Sequence, residues 1–348
     1  MSRGRISLAV AGTLALGLLV LQARAPSLSA AEPPCEFDGI ERIVAVGDVH
    51  GAYDRFVEIL GAAGVLNAGA HWAGGRTHLV QTGDVLDRGP DSRKVLDLLE
   101  RLQSEARKAG GAVHPLLGNH EAMRMLGDLR YVVPGEYQAF ETPRSVSMRD
   151  EFLKSAEPFQ RPADVPLGWV EMRQAFGRTG EYGRWLRTLN VVIKIDGVLF
   201  LHGGISPGLA DMSCETINAA IRREITTDIE KTRAAPRTSL SAREDGPLWY
   251  RGLALEPDSF GPTVEEILQK QHARAIVTSH TVAPRGRIRV RFDGKVMQID
   301  TGMQPAHVAD GQASALEIEH GVFTAIYRDH RDVLPGPPQV AEKPGTLK

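Results

Sequence analysis

Cysteine is almost missing from this chain: 348 residues hold two, Cys35 and Cys214, and neither has the paired spacing of a zinc or thiol-redox motif. Both therefore read as structural rather than catalytic. In an oxidising compartment a disulfide between them would persist, but the sequence does not say that they meet. A surplus of positive charge is missing as well. With 41 Lys and Arg against 43 Asp and Glu, the formal net charge is −2, which leaves no excess to drive general nucleic-acid binding. Local basic clusters stay open. Internal repeats are absent. What is present is ordinary globular composition, 42% hydrophobic and 24% charged, with material for a sizeable core in one large domain or two smaller ones.

An uncharged apolar run from Ile6 to Leu21 follows Arg3 and Arg5 and precedes the small residues Ser29, Ala30 and Ala31. This is the layout of a secretory signal peptide over residues 1–31, with cleavage after Ala31. Ala23-Arg24-Ala25 has the same small-x-small form, but Pro26 follows it directly and disfavours cutting there. The run is just short of the ~17 residues that span a bilayer, so an uncleaved anchor is the alternative. Cys35 follows Pro34 rather than a lipoprotein signal, which speaks against lipid anchoring. The expectation is a periplasmic or secreted protein with no stable membrane insertion after cleavage.

Short β-branched runs, each ending in a polar glycine-rich loop, organise the mature chain. Ile43 to Val46 leads into Gly47-Asp48-Val49-His50-Gly51, where residues two apart point the same way in extended backbone and can reach one ion together. Thr77 to Gln81 leads into Gly83-Asp84-Val85-Leu86-Asp87-Arg88-Gly89, and Ala112 to Leu117 into Gly118-Asn119-His120-Glu121. Helices are expected between them: Tyr53 to Ala63, then one with Val95, Leu98, Leu99 and Leu102 on one face, capped by Asp91 or Ser92 and stopped by Gly110. The proline-rich region of about 128–183 reads as a partly helical insertion over the site. Val191 to Ile195 and Val198 to Leu201 form a hairpin about Asp196-Gly197 and end in His202-Gly203-Gly204. A second insertion, about 205–270, carries a helix from Glu215 to Ile229. Ala275 to Thr278 is a strand ending in Ser279-His280-Thr281, hairpins follow at Asp293-Gly294 and His320-Gly321, and 334–348 reads as a flexible tail. Strands alternating with helices predict an α/β architecture with its site beyond the carboxyl ends of the strands.

A single histidine after a strand is more often a hydrogen-bonded structural residue than a ligand. Five such loops in order, bearing Asp48 and His50, Asp84, Asn119, His202 and His280, favour a metal centre. Carboxylate oxygen mixed with imidazole suits Mn, Fe or Zn better than Ca. Two ions ~3.5 to 4 Å apart, bridged by one carboxylate, form a clamp for in-line phosphoryl transfer.

With GDVHG at 47–51, GDVLDRG at 83–89, GNHE at 118–121, HGG at 202–204 and His280, the sequence resembles the phosphoprotein-phosphatase branch of the calcineurin-like metallophosphoesterases. Its bacterial-type, Shewanella-like members are the most similar. The resemblance covers most of the mature chain and implies a four-layer fold, two central mixed sheets flanked by helices, with two divalent or trivalent transition-metal ions at the top. It implies Asp48, His50 and Asp84 as ligands of one ion, and Asp84 (bridging), Asn119, His202 and His280 as ligands of the other. By the same resemblance His120, held by Asp87, is the general acid, and Arg88 grips phosphate with Arg251 as a second grip. For Arg251 a plain surface charge is the alternative. Val282 stands where the wider superfamily often has a histidine, which favours the phosphatase branch, and Ile299 to Met303 replace the Ser-Ala-Pro-Asn-Tyr loop of eukaryotic members. That loop helps select substrates, so Ser/Thr versus Tyr preference stays open. The implied activity is phosphomonoester hydrolysis by a metal-bridging hydroxide, on phosphorylated proteins or peptides or on small phosphate esters. Hydrolysis of nucleotides or dinucleoside polyphosphates is the alternative, and a catalytically silent phosphate-binding adaptor is a third reading.

Overall fold

The run Ala275-Ile276-Val277-Thr278 shows no polar and apolar alternation, the pattern of a strand covered on both faces, and all four residues are buried. It lies inside one of two six-stranded sheets in a computed structural model that describes residues 32–155 and 164–338. The expected signal peptide, residues 156–163 of the first insertion and the tail from 339 onward lie outside the described residues.

In chain order the first half comprises β1 (Glu36–Phe37), β2 (Arg42–Val46), α1 (Tyr53–Ala62), β3 (His78–Gln81), α2 (Ser92–Lys108), β4 (Ala112–Pro115) and α3 (Asn119–Leu126). Four helices of the insertion follow: α4 (Pro134–Gln138), α5 (Ser145–Ser155), α6 (Trp169–Phe176) and α7 (Glu181–Leu186). The second half opens with β5 (Val192–Ile195), β6 (Val198–Leu201), α8 (Cys214–Glu224), α9 (Ile229–Ala234), α10 (Gly252–Leu255) and α11 (Gly261–Lys270). It closes with β7 (Ala275–Thr278), β8 (Arg289–Arg291), β9 (Val296–Gln298), β10 (Ala315–Glu319), β11 (Val322–Ile326) and β12 (Arg331–Leu334).

One sheet has the order β12-β11-β10-β2-β3-β4 and the other β1-β5-β6-β7-β9-β8. Both are mixed, as expected for this α/β architecture. In the first, β2, β3 and β4 are parallel and β10 to β12 antiparallel; in the second, β6, β7 and β9 are parallel. Register brings Val46 beside Gln81 and Gln81 beside Pro115, so three glycine-rich loops leave one sheet edge together. The two sheets meet where these loops begin. Thr82 Oγ1 donates to Ser279 Oγ at 3.0 Å, and the Leu117 amide donates to the Asn190 carbonyl at 3.0 Å.

Apolar periodicity decides which face each helix buries. On α2, Val95, Leu98, Leu99 and Leu102 are all buried, each leucine contributing roughly 1.5–3 kcal/mol. Asp91 takes the expected N-cap position without a side-chain cap bond; its carboxylate pairs with Lys94 Nζ at 2.8 Å instead. The helix expected from Glu215 to Ile229 is broken. Thr226 and Thr227 are poor helix formers, and the Arg223 carbonyl takes the amides of Thr226, Thr227 and Asp228, which closes α8 before α9 begins. The last strand, β12, crosses the expected boundary at 333 and is clamped by Arg331 donating to Glu317 Oε2 at 3.0 Å. Cys35 and Cys214 are joined as a disulfide, Cα to Cα 6.2 Å, across 179 positions of sequence. The bond ties the segment ahead of β1 to the start of α8, and closing so long a loop is worth about 5 kcal/mol in the chain-entropy account.

Candidate active site

Loops after β2, β3 and β4 in one sheet and after β6 and β7 in the other deliver Asp48, His50, Asp84, Asn119, His202 and His280 to one buried cluster. Ligand atoms of His50, Asp84 and His120 lie within 4.8 Å of one another, as do those of Asp84, His202 and His280. Asp84 belongs to both sets. Asp48 joins them, its Oδ2 3.8 Å from His50 Nε2 and its Oδ1 3.7 Å from His202 Nδ1. Five non-glycine residues here hold a left-handed backbone: His50 (φ 47°), Asp84 (57°), Asp87 (68°), Arg88 (65°) and His280 (65°). Strain of this kind persists where surrounding contacts enforce it. Gly118 is one enforcer, because a Cβ there would collide with Asp84 Oδ1. Gly47 is another, where a Cβ would sit 2.7 Å from the Ile299 carbonyl oxygen.

The hydrogen bonds fix which ring nitrogens carry protons. His50 Nδ1 lies 2.8 Å from the Leu86 carbonyl and His202 Nδ1 3.0 Å from the Thr82 carbonyl. A carbonyl only accepts, so both Nδ1 atoms donate and both Nε2 atoms present lone pairs. Against the lone pair of His202 Nε2 stand further acceptors, Asn119 Oδ1 at 2.9 Å and Asp84 Oδ2 at 3.2 Å. Lone pairs converging without a proton between them call for a cation. His280 completes the set: its Nδ1 is 3.1 Å from His202 Nε2, and its buried Nε2 has no partner among the described residues. Charge supports the same fit. Burial, with the neighbouring Asp300 and Asp84, holds the Asp48 carboxyl well above its usual range. Burial pushes His50 down to about 3 and, with His202 beside it, His280 down to about 2, which keeps both imidazoles neutral and ready as ligands.

His120 stands apart in kind. Its Nδ1 is 2.6 Å from Asp87 Oδ2, and its Nε2 faces Asp84 Oδ2 at 3.8 Å. Burial would lower its pKa, but the carboxylates of Asp84 and Asp87 outweigh that and raise it. Asp87 is itself gripped, since Arg124 donates to its Oδ1 at 2.5 Å and to Glu136 Oε2 at 2.9 Å. A relay thus runs from Glu136 on α4 through Arg124 and Asp87 to His120, all of them buried.

A match to the calcineurin-like phosphoesterase family model extends over residues 41–284, which contain all five of these loops. The chain belongs to the calcineurin-like phosphoesterase family. Within it, the chain is similar to the Shewanella-like protein phosphatase 2 of Arabidopsis thaliana, 30% identical over 312 residues that cover 81% of this chain and 76% of the relative. An uncharacterised protein of Schizosaccharomyces pombe is 31% identical over 296 residues, covering 82% of this chain and 81% of that one. The solved cold-active protein-tyrosine phosphatase of a psychrophilic Shewanella superposes with a TM-score of 0.70 at 30% identity, covering 87% of this chain and 83% of the other. These likenesses establish a metal-dependent phosphoesterase of the Shewanella-like phosphatase branch, from a family that works with two metal ions.

This phosphoesterase builds its metal loops on a residue that sequence reasoning left without a role. Glu121 accepts backbone amides from Asp84 at 2.8 Å, Val85 at 3.0 Å, Leu86 at 3.2 Å and Gly118 at 2.8 Å, joining two loops through one buried carboxylate. Glu121→Ala would leave those donors unpaired. We expect it to destabilise the fold by about 3 kcal/mol or more and to lower metal affinity, read as a fall in denaturation midpoint and in bound metal; an unchanged midpoint would remove this role. Arg124 was also missed, although its place four residues after His120 on one helix was a usable sign. Glu136, Tyr131 and His307 carry no such sign, because only tertiary folding brings them near. The Arg88 guanidinium lies 4.7 Å from the Tyr131 ring and donates to His307 Nδ1 at 3.0 Å, which orients it beside His50 and His120. Arg251 donates to the His280 carbonyl and to Thr281 Oγ1, both at 2.9 Å, at the rim of the site.

Proposed function

We propose that this phosphoesterase is a dimetal phosphomonoesterase that acts on phosphorylated proteins outside the cytoplasm. The convergence of His202 Nε2, Asn119 Oδ1 and Asp84 Oδ2 lone pairs, with the His120–Asp87 pair beside them, is the observation that supports it. In this reading Asp48, His50 and Asp84 hold one ion, and Asp84, Asn119, His202 and His280 the other, with Mn, Fe or Zn fitting the mixed donors. Bound there, the ions supply Lewis acidity and a water acidic enough to attack phosphorus at neutral pH. The chain's own groups do the rest. Arg88 and Arg251 take equatorial phosphate oxygens, and His120 carries the proton that the departing alkoxide needs, its ring held by Asp87 and Arg124.

Phosphoprotein substrates are favoured by the names of the relatives in Arabidopsis and Shewanella. The test is a panel in which the metal-loaded protein meets phosphoserine, phosphothreonine and phosphotyrosine peptides beside adenosine nucleotides and dinucleoside polyphosphates. Peptides are expected to lead in kcat/KM; a nucleotide lead would replace the substrate class while keeping the chemistry. A protein that binds phosphate and turns over none of them would be an adaptor instead.

Export is supported by the charged, apolar leader and by the Cys35–Cys214 disulfide, a bond that persists in oxidising compartments. No helix among the described residues is long and apolar enough to cross a membrane. Mass spectrometry of the protein recovered from outside the cytoplasm should find an N-terminus at Glu32. A cytoplasmic species with Met1 through Leu21 intact would remove the proposal.

A further inference from the structure

Helix α3 presents His120 and, four residues later, Arg124, and Arg124 also lines a cavity of about 340 Å³ outside the metal centre. Five arginines line it, Arg124, Arg173, Arg178, Arg187 and Arg233, against a single carboxylate, Glu230. Two of the cations are neutralised: Arg124 by Asp87 and Glu136, and Arg233 by Glu230 at 2.9 Å. The other three have no carboxylate within ion-pair distance among the described residues. Arg187 is buried and donates only to carbonyl oxygens, those of Ile225 at 2.9 Å, Gly183 at 2.7 Å and Phe176 at 3.4 Å. Arg173 rests 4.7 Å over the Trp169 ring, an apolar seat that supplies no counter-charge.

A buried guanidinium without an opposite charge is costly, and like-charged neighbours add to the cost. Burial, with Arg178 beside it, lowers the pKa of Arg187, and partial desolvation with Arg233 nearby lowers that of the more exposed Arg173. Two buried donors lining the same cavity, Arg124 Nε and Thr226 Oγ1, find no acceptor among the described residues. Unneutralised guanidinium forks with idle donors match a tetrahedral oxyanion, whose several oxygens take bidentate arginine contacts.

We propose that this cavity is a second phosphoryl-binding site, filled either by free orthophosphate or by another phosphate group on a multiply phosphorylated substrate. It shares Arg124 with the Asp87–His120 pair, so it lies next to the active site without being part of it.

The test is calorimetric titration of orthophosphate into the metal-loaded protein and into Arg173→Gln/Arg178→Gln. The wild type is expected to bind two phosphates per chain and the variant one, or the second at least tenfold more weakly. Turnover of a small nitrophenyl ester should stay within twofold and the denaturation midpoint unchanged, which separates loss of the site from misfolding. Thr226→Val is a milder second variant, expected to weaken the same site alone. Peptides identify the source: a KM raised in the double variant for doubly but not singly phosphorylated peptide assigns the site to substrate, and equal KM with weaker orthophosphate binding assigns it to the free ion. Orthophosphate bound in the same number and equally well by wild type and double variant would overturn the proposal. The metal-centre reading stands or falls separately, on metal content and turnover.

Discussion

Asp84→Asn is expected to lose at least one of two tightly bound ions and roughly 10³ in kcat, as several kcal/mol of Lewis-acid stabilisation disappears. The substitution is clean for structural reasons. Asparagine tolerates the left-handed backbone at this position (φ 57°). It also keeps an oxygen for the His120 amide, which donates to Asp84 Oδ1 at 3.0 Å. Where Asp84 Oδ2 faces the His202 Nε2 lone pair at 3.2 Å, the new amide would donate to that ring nitrogen and occupy a ligand. The midpoints of metal-free Asp84→Asn and metal-free wild type show whether the substitution itself disturbs the fold. Elemental analysis, turnover and the two midpoints together decide. Two retained ions with near-normal turnover would refute the bridging role.

His120→Gln should slow alkyl phosphate hydrolysis by about 10² to 10⁴, the range of a general acid, and nitrophenyl phosphate hydrolysis far less. Serine phosphate departs as a strongly basic alkoxide, whereas nitrophenolate is already a stable anion. Asp87→Asn should show the same bias more weakly, since it removes the partner 2.6 Å from His120 Nδ1 while leaving the ring. In this acid step Arg124 is expected to act only through Asp87, which it grips at 2.5 Å. Metal content should stay near wild type throughout. Equal loss on both esters with metals retained would make His120 a positioning residue. Loss of metal would make it a ligand, a role that its grouping with His50 and Asp84 keeps in view.

Much of this was legible from the chain because strand ends and glycine-rich loops are local objects. A β-branched run followed by a glycine, a carboxylate and an imidazole needs no distant partner to be read, so Asp48, His50, Asp84, Asn119, His202 and His280 stood out by position and order, while the role of His120 came from the family resemblance. Hairpins at Asp196-Gly197, Asp293-Gly294 and His320-Gly321 were legible for the same reason, and each has the positive φ that its turn requires. The helix expected to run to Ile229 failed on a local point, the weak helix propensity of Thr226 and Thr227 between α8 and α9.

The rest depended on distance in sequence. Glu136 reaches Asp87 from 49 positions away, His307 reaches Arg88 from 219, and the disulfide spans 179. No periodicity encodes such pairs, because each forms only after two sheets have packed and brought the ends of unrelated loops together. By itself the sequence determined which candidate donors stand at the strand ends and in what order, since these are set by strand, turn and residue type. Tertiary structure alone decided their protonation, the grip on Asp87 and the arginine-lined cavity beside it. Those properties arise from burial and from charges on separate elements, and in an unfolded chain solvated by water neither exists.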